Sequence, residues 1–158
     1  MPTTSRLSSE AIKKSRPLVP FRVSEIRGRS ARKIKWFPRF VIHEHNASHL
    51  HWDFRLELDG VLKSWALPKQ PPKRKNLKRL AVQVEDHSLE YGKFEGEITE
   101  GYGKGTVKIW DKGIYKLIKK DKSKIEFELK GKKLTGTYVL VNAKLGGKDK
   151  NWLFFRIE

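Results

Sequence analysis

Apolar and polar residues alternate along much of the chain, and they do so most regularly over residues 49–58. The apolar residues of this run share one face, and they are Leu50, Trp52, Phe54, Leu56 and Leu58. The opposite face carries His49, His51, Asp53, Arg55 and Glu57. A repeat of two residues is typical of a β-strand with one buried face. Asp59-Gly60 follows and indicates a tight hairpin turn, so residues 61–67 are predicted as the return strand.

Further short strands are predicted downstream of this hairpin. Pro68, Pro71 and Pro72 interrupt the pattern first, because proline cannot donate to a sheet ladder. Strand patterns then return over residues 80–85, 106–110, 114–119, 124–130, 134–141 and 152–157. The second and third of these runs are expected to form another hairpin. About eight short strands with little helix predict a mainly β protein, folded as a small closed or nearly closed β-barrel with short helices.

The first 35 residues differ in composition from the rest of the chain. They hold ten Lys and Arg residues against two Glu, with few large apolar side chains. We interpret residues 1–35 as a basic, partly ordered N-terminal arm, with a short helix predicted over residues 8–14, and residues 36–158 as the barrel domain. The arm either lies along a phosphate backbone or is a flexible leader without a role.

The charge balance points to a polyanionic partner. The chain has 35 Lys and Arg residues against 18 Asp and Glu, which gives a formal net charge of +17 at pH 7. Such a surplus repels itself and does not help folding, so a nucleic-acid partner is favoured over a merely soluble basic protein. Residues 69–79 continue this pattern with six basic side chains and no acidic one.

Several other classes of function are excluded or disfavoured. The chain lacks cysteine, which excludes disulfides, thiolate metal sites and a cysteine nucleophile. Its sequence has no segment long and apolar enough to span a membrane, and no apolar core of a signal peptide at the N-terminus. We therefore expect a cytoplasmic protein without a membrane partner. The glycine-rich residues 101–105 have the wrong spacing for a nucleotide-binding loop and are interpreted as a β turn.

His51 and Asp53 are candidate metal ligands, because side chains two residues apart on a strand point the same way, within about 7 Å of each other. His45 ends the preceding apolar strand, and a turn at residues 46–48 would bring it beside His51. Two imidazoles and one carboxylate suit a first-row divalent metal and leave coordination positions open for catalysis. Arg55, one step further along the same face, could hold a phosphate group.

An accidental cluster and the neighbouring histidines are the alternatives to this site. On spacing alone, two His and one Asp are more often an accident than a metal site. His43 could support the ligands or simply be half-buried. His49 shares the face of His51 but ranks behind His45 and His51 as a ligand.

His87 and Tyr91 form a second, weaker candidate because they follow a predicted strand, where sites are often built. His87 could donate a proton or bind phosphate, and Tyr91 could orient it. A histidine in such a place is more often an ordinary loop residue, so its value depends on lying near the metal.

Over residues 36–157 the chain resembles the 3′-phosphoesterase domain of bacterial DNA ligase D and its stand-alone relatives. The resemblance rests on Tyr91 and on the runs FVIHEHNASHLHWDFRLELDG at residues 40–60, LKSWALPK at residues 62–69, RLAVQVEDH at residues 79–87, FEG at residues 94–96 and WDKG at residues 110–113. It is specific because long runs match in order and not merely in composition.

This resemblance implies a β-barrel enzyme that prefers manganese, with other first-row divalent metals as alternatives. The family trims the 3′ end of a primer strand in break repair by non-homologous end joining. It first removes a terminal ribonucleoside to leave a 3′-phosphate, and then removes that phosphate to leave a 3′-hydroxyl. The implied substrates are DNA primer-templates or duplex 3′ ends with a terminal ribonucleotide or phosphate. Since the chain resembles the stand-alone members, a separate ligase or polymerase is the implied protein partner.

The functional residues of the family carry over to matching positions of this chain. Its metal ligands fall on His45, His51 and Asp53. Its phosphate-contacting and catalytic residues fall on Arg55, His87 and Tyr91. Its basic positions near the phosphate fall on Lys69 and Arg79. Its acid tied mainly to the phosphate-removal step falls on Glu85.

The N-terminal arm departs from the family pattern. The bacterial domains have an Arg-Asp pair and a Glu there that favour phosphate removal, whereas no Arg precedes an Asp in residues 1–35 of this chain. Arg22 and Glu25 are weak substitutes. Removal of the ribonucleoside is therefore the firmer expectation of the two steps.

Two other functions remain open from the sequence. One is a non-catalytic, basic nucleic-acid-binding barrel whose His/Asp metal site is structural. The other is a metal-dependent enzyme that acts on a cyclic phosphate or a nucleotide. Salt-sensitive DNA binding that survives the loss of Asp53, with no activity to lose, would indicate the first, and the lack of a duplex requirement would indicate the second.

Overall fold

The computed structural model describes residues 21–22, 36–101 and 103–158. These residues form the strands β1 (Phe21–Arg22), β2 (Trp36–Phe37), β3 (Arg39–Asn46), β4 (Leu50–Leu58), β5 (Val61–Leu67), β6 (Arg79–His87), β7 (Gly96–Ile98), β8 (Gly105–Lys120), β9 (Lys124–Gly131), β10 (Thr135–Asn142) and β11 (Asn151–Arg156). Two short 3-10 segments, Leu89–Lys93 and Leu145–Gly147, are the helical elements of this part of the chain. The expected mainly β class is confirmed. The arm, apart from β1, and the helix expected over residues 8–14 lie outside the described residues.

Eight of the strands close into an antiparallel barrel. They follow the order β3-β4-β5-β6-β11-β10-β9-β8, and β8 pairs back onto β3. β7 pairs with the first residues of β8, and β1 pairs with β2 in a separate two-stranded sheet. Closure of the sheet gives each barrel strand two neighbours, which confirms the expected closed barrel. No helix among the described residues combines the length and apolar character needed to cross a membrane.

The barrel core is built from alternate residues of the strands. Phe54 lies near its centre, with its ring stacked against Phe154 at 4.6 Å and against Phe127 at 5.8 Å between centroids. Trp65 and Trp152 pack edge-to-face in the same cluster, with centroids 5.7 Å apart. Large aromatic rings bury much apolar area per residue, so this cluster dominates the hydrophobic stabilisation of the barrel.

The β4–β5 hairpin has the turn expected from the sequence. Asp59 and Gly60 both adopt positive φ angles, 56° and 80°. This is the two-residue turn whose twist matches the twist of paired strands. The turn sets the register, in which Leu58 pairs with Val61 and Arg55 pairs with Ser64.

The prediction of a second hairpin within residues 106–119 is wrong, because residues 105–120 form the single long strand β8. Asp and Gly residues such as those in Asp111-Lys112-Gly113 often form turns, but here they make contacts between β8 and its neighbours. The buried carboxylate of Asp111 accepts backbone hydrogen bonds from the β9–β10 turn and from its own neighbour, and the donors are Lys112, Lys132, Lys133 and Leu134. Gly113 passes so close to β9 that an added Cβ would overlap the Lys130 carbonyl. Contacts with distant strands therefore override the local turn signal.

Candidate metal and phosphate site

A polar face runs along β3 and β4 on the side turned away from the core. His43 and His45 alternate with core residue Ile42 on β3, and Asp53 and Arg55 alternate with core residues on β4. The segment that follows β6 covers this face, with Tyr91 and Gly103 in contact with it. Asp53 is only 6% exposed and Arg55 only 3%. β4 is thus buried on both faces over residues 53–56, rather than half-buried as its alternation indicated.

The structure brings His45, His51 and Asp53 together. His45 and His51 are register partners across β3 and β4, so the turn at residues 46–48 does return one imidazole beside the other. Oδ2 of Asp53 lies 3.6 Å from Nδ1 of His45 and 3.4 Å from Nε2 of His51. The three donor atoms lie within 4.8 Å of one another, close enough to share one ion.

Two backbone carbonyls orient the imidazoles of this cluster. Nε2 of His45 lies 2.7 Å from the Gly103 carbonyl oxygen, and Nδ1 of His51 lies 3.0 Å from the His49 carbonyl oxygen. A carbonyl can only accept, so each of these nitrogens carries the hydrogen. The other nitrogen of each ring faces Asp53. Metal-binding histidines are usually held in this way through their second nitrogen, so the donor set fits a divalent transition metal.

The charges of the cluster favour an ionised carboxylate. Burial alone would raise the pKa of Asp53, but the charge of Arg55 and the neighbouring imidazoles of His45 and His51 hold that pKa well below its ordinary value. Burial alone would lower the pKa of His51, but the hydrogen bond to Asp53 and its negative charge outweigh burial and raise that pKa above 6.5. Without a metal ion, His51 and Asp53 therefore tend toward an ion pair.

This coupling predicts that the affinity for a divalent metal ion depends on pH. A metal ion and a proton would compete for Nε2 of His51, so we expect the metal affinity to fall as the pH drops through the raised pKa of His51. Because the pKa of His51 is raised, the loss of metal affinity should begin at a higher pH than it would for a histidine with an ordinary pKa. Isothermal titration calorimetry over a pH series, repeated in buffers of different ionisation enthalpy, measures both the affinity and the proton released. An affinity that is flat over the series would contradict this arrangement.

Arg55 is held by a set of buried partners. Its Nε donates to Nδ1 of His43 at 3.0 Å, and its Nη2 donates to Oδ2 of Asp53 at 3.3 Å. Its Nη1 donates to Oγ of Ser64 at 2.8 Å and to Nδ1 of His87 at 3.1 Å. A guanidinium has five N–H donors, so these four contacts leave one N–H on Nη2 for a further acceptor.

Sequence reasoning missed Ser64 and left the role of His43 open. Ser64 is fully buried, and its hydroxyl accepts from Arg55 while it donates to the Leu62 carbonyl at 3.1 Å. The hairpin register set by Asp59-Gly60 pairs Arg55 with Ser64, so the turn contained the signal needed to find this contact. Burial, followed by the charge of Arg55, lowers the pKa of His43 to about 3, so this ring is a neutral acceptor for Arg55 at pH 7.

A bulge in β6 aims His87 at the polar face. Ser64 pairs with Val84, whereas Leu62 pairs with His87, so β6 has one extra residue between these positions. In a regular ladder Asp86 would oppose Leu62, and bulges next to active sites often redirect a side chain in this way. Nδ1 of His87 lies 3.1 Å from Nη1 of Arg55, which can only donate, and 3.2 Å from the Glu85 carbonyl, which can only accept. The shorter contact with the charged guanidinium favours Nδ1 as the acceptor, with the hydrogen on Nε2. Burial and then the charge of Arg55 lower the pKa of His87 to about 4, which leaves a neutral N–H donor at pH 7.

Tyr91 closes the site from the 3-10 segment Leu89–Lys93. Its ring lies 5.0 Å from Cζ of Arg55, with ring centroids 4.7 Å from His87 and 5.5 Å from His43. Burial raises the pKa of its hydroxyl, so Tyr91 is a neutral ring above a buried cation. The structure therefore joins both sequence candidates, the His/Asp cluster and the His87–Tyr91 pair, through Arg55.

Residues 43–142 match the profile of a protein family described as the DNA ligase D 3′-phosphoesterase domain, and this range contains every residue of the site. The chain belongs to this family. It is 42% identical over 165 residues to the multifunctional non-homologous end joining protein LigD of Pseudomonas aeruginosa, an alignment that covers 100% of this chain and 19% of that protein. It is 43% identical over 124 residues to the LigD DNA repair protein of Mycobacterium tuberculosis, covering 75% of this chain and 16% of that protein. The chain thus spans less than a fifth of the length of these relatives.

The remaining positions carried over from the resemblance, Lys69, Arg79 and Glu85, are not members of the metal-donor cluster. Lys69 is exposed two residues after β5, and Arg79 begins β6, with its Nε donating to the Gln70 carbonyl at 2.9 Å. Glu85 is exposed on β6, and its backbone carbonyl, 3.2 Å from Nδ1 of His87, is the part of this residue that meets the site.

Proposed function

We propose that this protein is a metal-dependent phosphoesterase that processes the 3′ ends of DNA during break repair by non-homologous end joining. It removes a 3′-terminal ribonucleoside and then the 3′-phosphate that remains. The observation that carries this proposal is the buried Arg55, which joins three metal donors on one side to a neutral imidazole on the other. Such a constellation provides cationic charge and hydrogen-bond donors at one place, which is what cleavage of a phosphate ester needs.

His45, His51 and Asp53 would hold the metal, with Mn²⁺ as the proposed ion and other first-row divalent ions as substitutes. When bound, the ion supplies Lewis-acid polarisation of a phosphoryl oxygen. Arg55 adds a fixed positive charge and the free N–H of Nη2. Because its other donors already have partners, its charge and orientation are set before a substrate arrives. Preorganised charge of this kind stabilises a transition state without reorganisation.

His87 acts as a hydrogen-bond donor from Nε2. Its pKa of about 4 makes an imidazolium rare at pH 7, so it serves better as a neutral donor to a phosphoryl or leaving oxygen than as a charged acid. Tyr91 holds the His87 ring and the guanidinium in place by ring contact. These groups are proposed as the catalytic residues, together with Glu85 in the phosphate-removal step.

DNA is held through its phosphates. The loop at residues 69–79, with its six basic side chains, follows β5 and leads into β6, the strand that carries His87. Lys69 and Arg79, at its two ends, are the proposed substrate-binding residues of the loop. Phosphate contacts position a duplex without reading its bases, so binding should be independent of sequence and sensitive to salt. A separate ligase or polymerase is proposed to act on the repaired end.

The proposed activity is tested with an end-labelled primer-template that carries one 3′-terminal ribonucleotide. With Mn²⁺, wild-type protein should shorten the primer to a 3′-phosphate and then to a 3′-hydroxyl, and Asp53→Ala should do neither while it still binds the duplex. Asp86→Ala, which alters an exposed acid beside the site, is the matched control that retains activity. No cleavage by wild-type protein, with intact salt-sensitive binding, would leave a non-catalytic nucleic-acid-binding barrel. Cleavage of a free nucleotide without a duplex would instead indicate a different substrate.

Glu85→Ala is expected to separate the two steps. The carboxylate is exposed and its loss leaves the metal donors and Arg55 untouched, so ribonucleoside removal should continue while the 3′-phosphate product accumulates. Gel analysis of the time course measures both products, and Glu97→Ala, which removes another exposed acid, on β7, is the control. Equal slowing of both steps, or of neither, would contradict the assignment of Glu85 to phosphate removal.

A further inference from the structure

The glycine-rich loop between β7 and β8 contacts the proposed metal site. β7 ends at Ile98 and β8 begins at Gly105, and these two residues pair across the hairpin. The loop between them comprises residues 99–104, of which the structure describes 99–101 and 103–104. Gly103, with φ of +89°, places its carbonyl oxygen 2.7 Å from Nε2 of the largely buried His45. As a sequence motif these glycines indicated only a turn.

We propose that this loop supports metal binding, because the Gly103 carbonyl determines which nitrogen of His45 is free to bind the ion. The inference rests on the metal dependence proposed above. A neutral imidazole exists in two tautomers, and the carbonyl stabilises the one with hydrogen on Nε2. That tautomer leaves the lone pair of Nδ1 facing Oδ2 of Asp53.

The loop is anchored on the same strand that presents His45. Val107 and Thr106 of β8 pair with His45 and Asn46 of β3. Gly105 lies so close to this strand that an added Cβ would overlap the Asn46 carbonyl. The end of the loop is therefore fixed relative to His45. Gly103 lies only two residues before this fixed point, so the position of its carbonyl is set by the pairing of β8 with β3.

The metal affinity should depend on this contact. Without the carbonyl, the tautomer with hydrogen on Nδ1 becomes populated, and in that form the nitrogen facing Asp53 cannot bind a metal. The loss of such a supporting partner typically weakens metal binding by about 10- to 100-fold. The same loss should leave the barrel core unchanged, because Gly103 lies outside it.

Gly103→Ala tests the contact with little steric change. The added Cβ would lie 3.5 Å from Cε1 of His45, an ordinary contact, but a φ of +89° is disfavoured for alanine and displaces the carbonyl. Gly146→Ala is the matched control, since Gly146 also has positive φ, +67°, and open space around it in a different loop. A second variant replaces residues 99–104 with Asn-Gly, which keeps the pairing of Ile98 with Gly105 and removes the carbonyl altogether.

Two readouts are needed, Mn²⁺ affinity by calorimetry and the His45 tautomer in metal-free protein by ¹⁵N NMR. Both loop variants should bind Mn²⁺ about 10- to 100-fold more weakly and show a mixed tautomer, while Gly146→Ala matches the wild type. Wild-type affinity in the Asn-Gly variant, or a mixed His45 tautomer in the wild type, would overturn the inference. If the wild type itself binds no Mn²⁺, the proposed function fails; if it binds and cleaves while the loop variants are unchanged, only the role of the loop fails.

Discussion

Arg55→Lys should lower the turnover number about 100- to 1,000-fold, although it keeps the positive charge. A lysine has one nitrogen and cannot reach His43, Ser64 and Asp53 at once, as the guanidinium does. It also ceases to hold Nδ1 of His87 as an acceptor, so the two tautomers of that ring would mix. The measurement is single-turnover cleavage of the ribonucleotide-ended primer at saturating Mn²⁺.

Arg156→Lys is the matched control for this substitution. Arg156 is a second hydrogen-bonded guanidinium, which donates to the carbonyl oxygens of Glu158 and Lys73, but it lies on β11, three strands away from β4 in the barrel. Its replacement should leave turnover unchanged. Thermal unfolding of both variants separates a loss of chemistry from a loss of fold. If folded Arg55→Lys protein cleaved at the wild-type rate, charge alone would suffice and the fixed geometry of Arg55 would have no role.

Asp111→Ala should lower the free energy of unfolding by about 3 to 4 kcal/mol, the largest stability effect we expect outside the apolar core. The carboxylate accepts four backbone N–H groups at 2.8 to 3.1 Å, and three of these donors belong to the β9–β10 turn. Alanine leaves these donors without their acceptor in a place where Asp111 itself is only 5% exposed. Urea denaturation followed by fluorescence measures the change.

Asp121→Ala provides the comparison for Asp111→Ala. Asp121 also accepts a backbone hydrogen bond, from Ser123 at 2.9 Å, but its carboxylate is exposed and water can replace it. Its loss should move the denaturation midpoint much less. Asp111→Asn, which retains one acceptor oxygen, should fall between the two. Equal midpoints for Asp111→Ala and Asp121→Ala would show that the buried carboxylate does not organise the β9–β10 turn.

Local chemistry was sufficient to predict the strands that carry the metal donors. The alternation over residues 49–58 and the turn at Asp59-Gly60 fix β4, β5 and their register, and the turn at residues 46–48 fixes the pairing of His45 with His51. Residues close in sequence determine these two hairpins and their registers, so both could be predicted from the sequence. β8 could not be predicted in this way, because Asp111 and Gly113 make their decisive contacts with residues of β9 and of the β9–β10 turn.

The burial of Asp53 and Arg55 also depends on contacts between residues that are distant in sequence. Alternation predicts that Asp53 and Arg55 face away from the core, but it does not reveal that Tyr91 and Gly103 cover them. Burial is what shifts the pKa of His87 and makes the charge of Arg55 effective. The position of His87 itself follows from a single extra residue in β6, a bulge that no alternation pattern marks.

His45, His51 and Asp53 are proposed to bind the metal ion on which cleavage depends. Electron paramagnetic resonance of Mn²⁺ titrated into the protein tests this proposal most directly, because free and bound ions give different signals. We predict a single bound ion per chain, lost in His51→Ala and retained in His49→Ala, which removes an exposed imidazole and keeps the backbone carbonyl that orients His51. Equal binding by the two variants, or no binding by the wild type, would contradict this account.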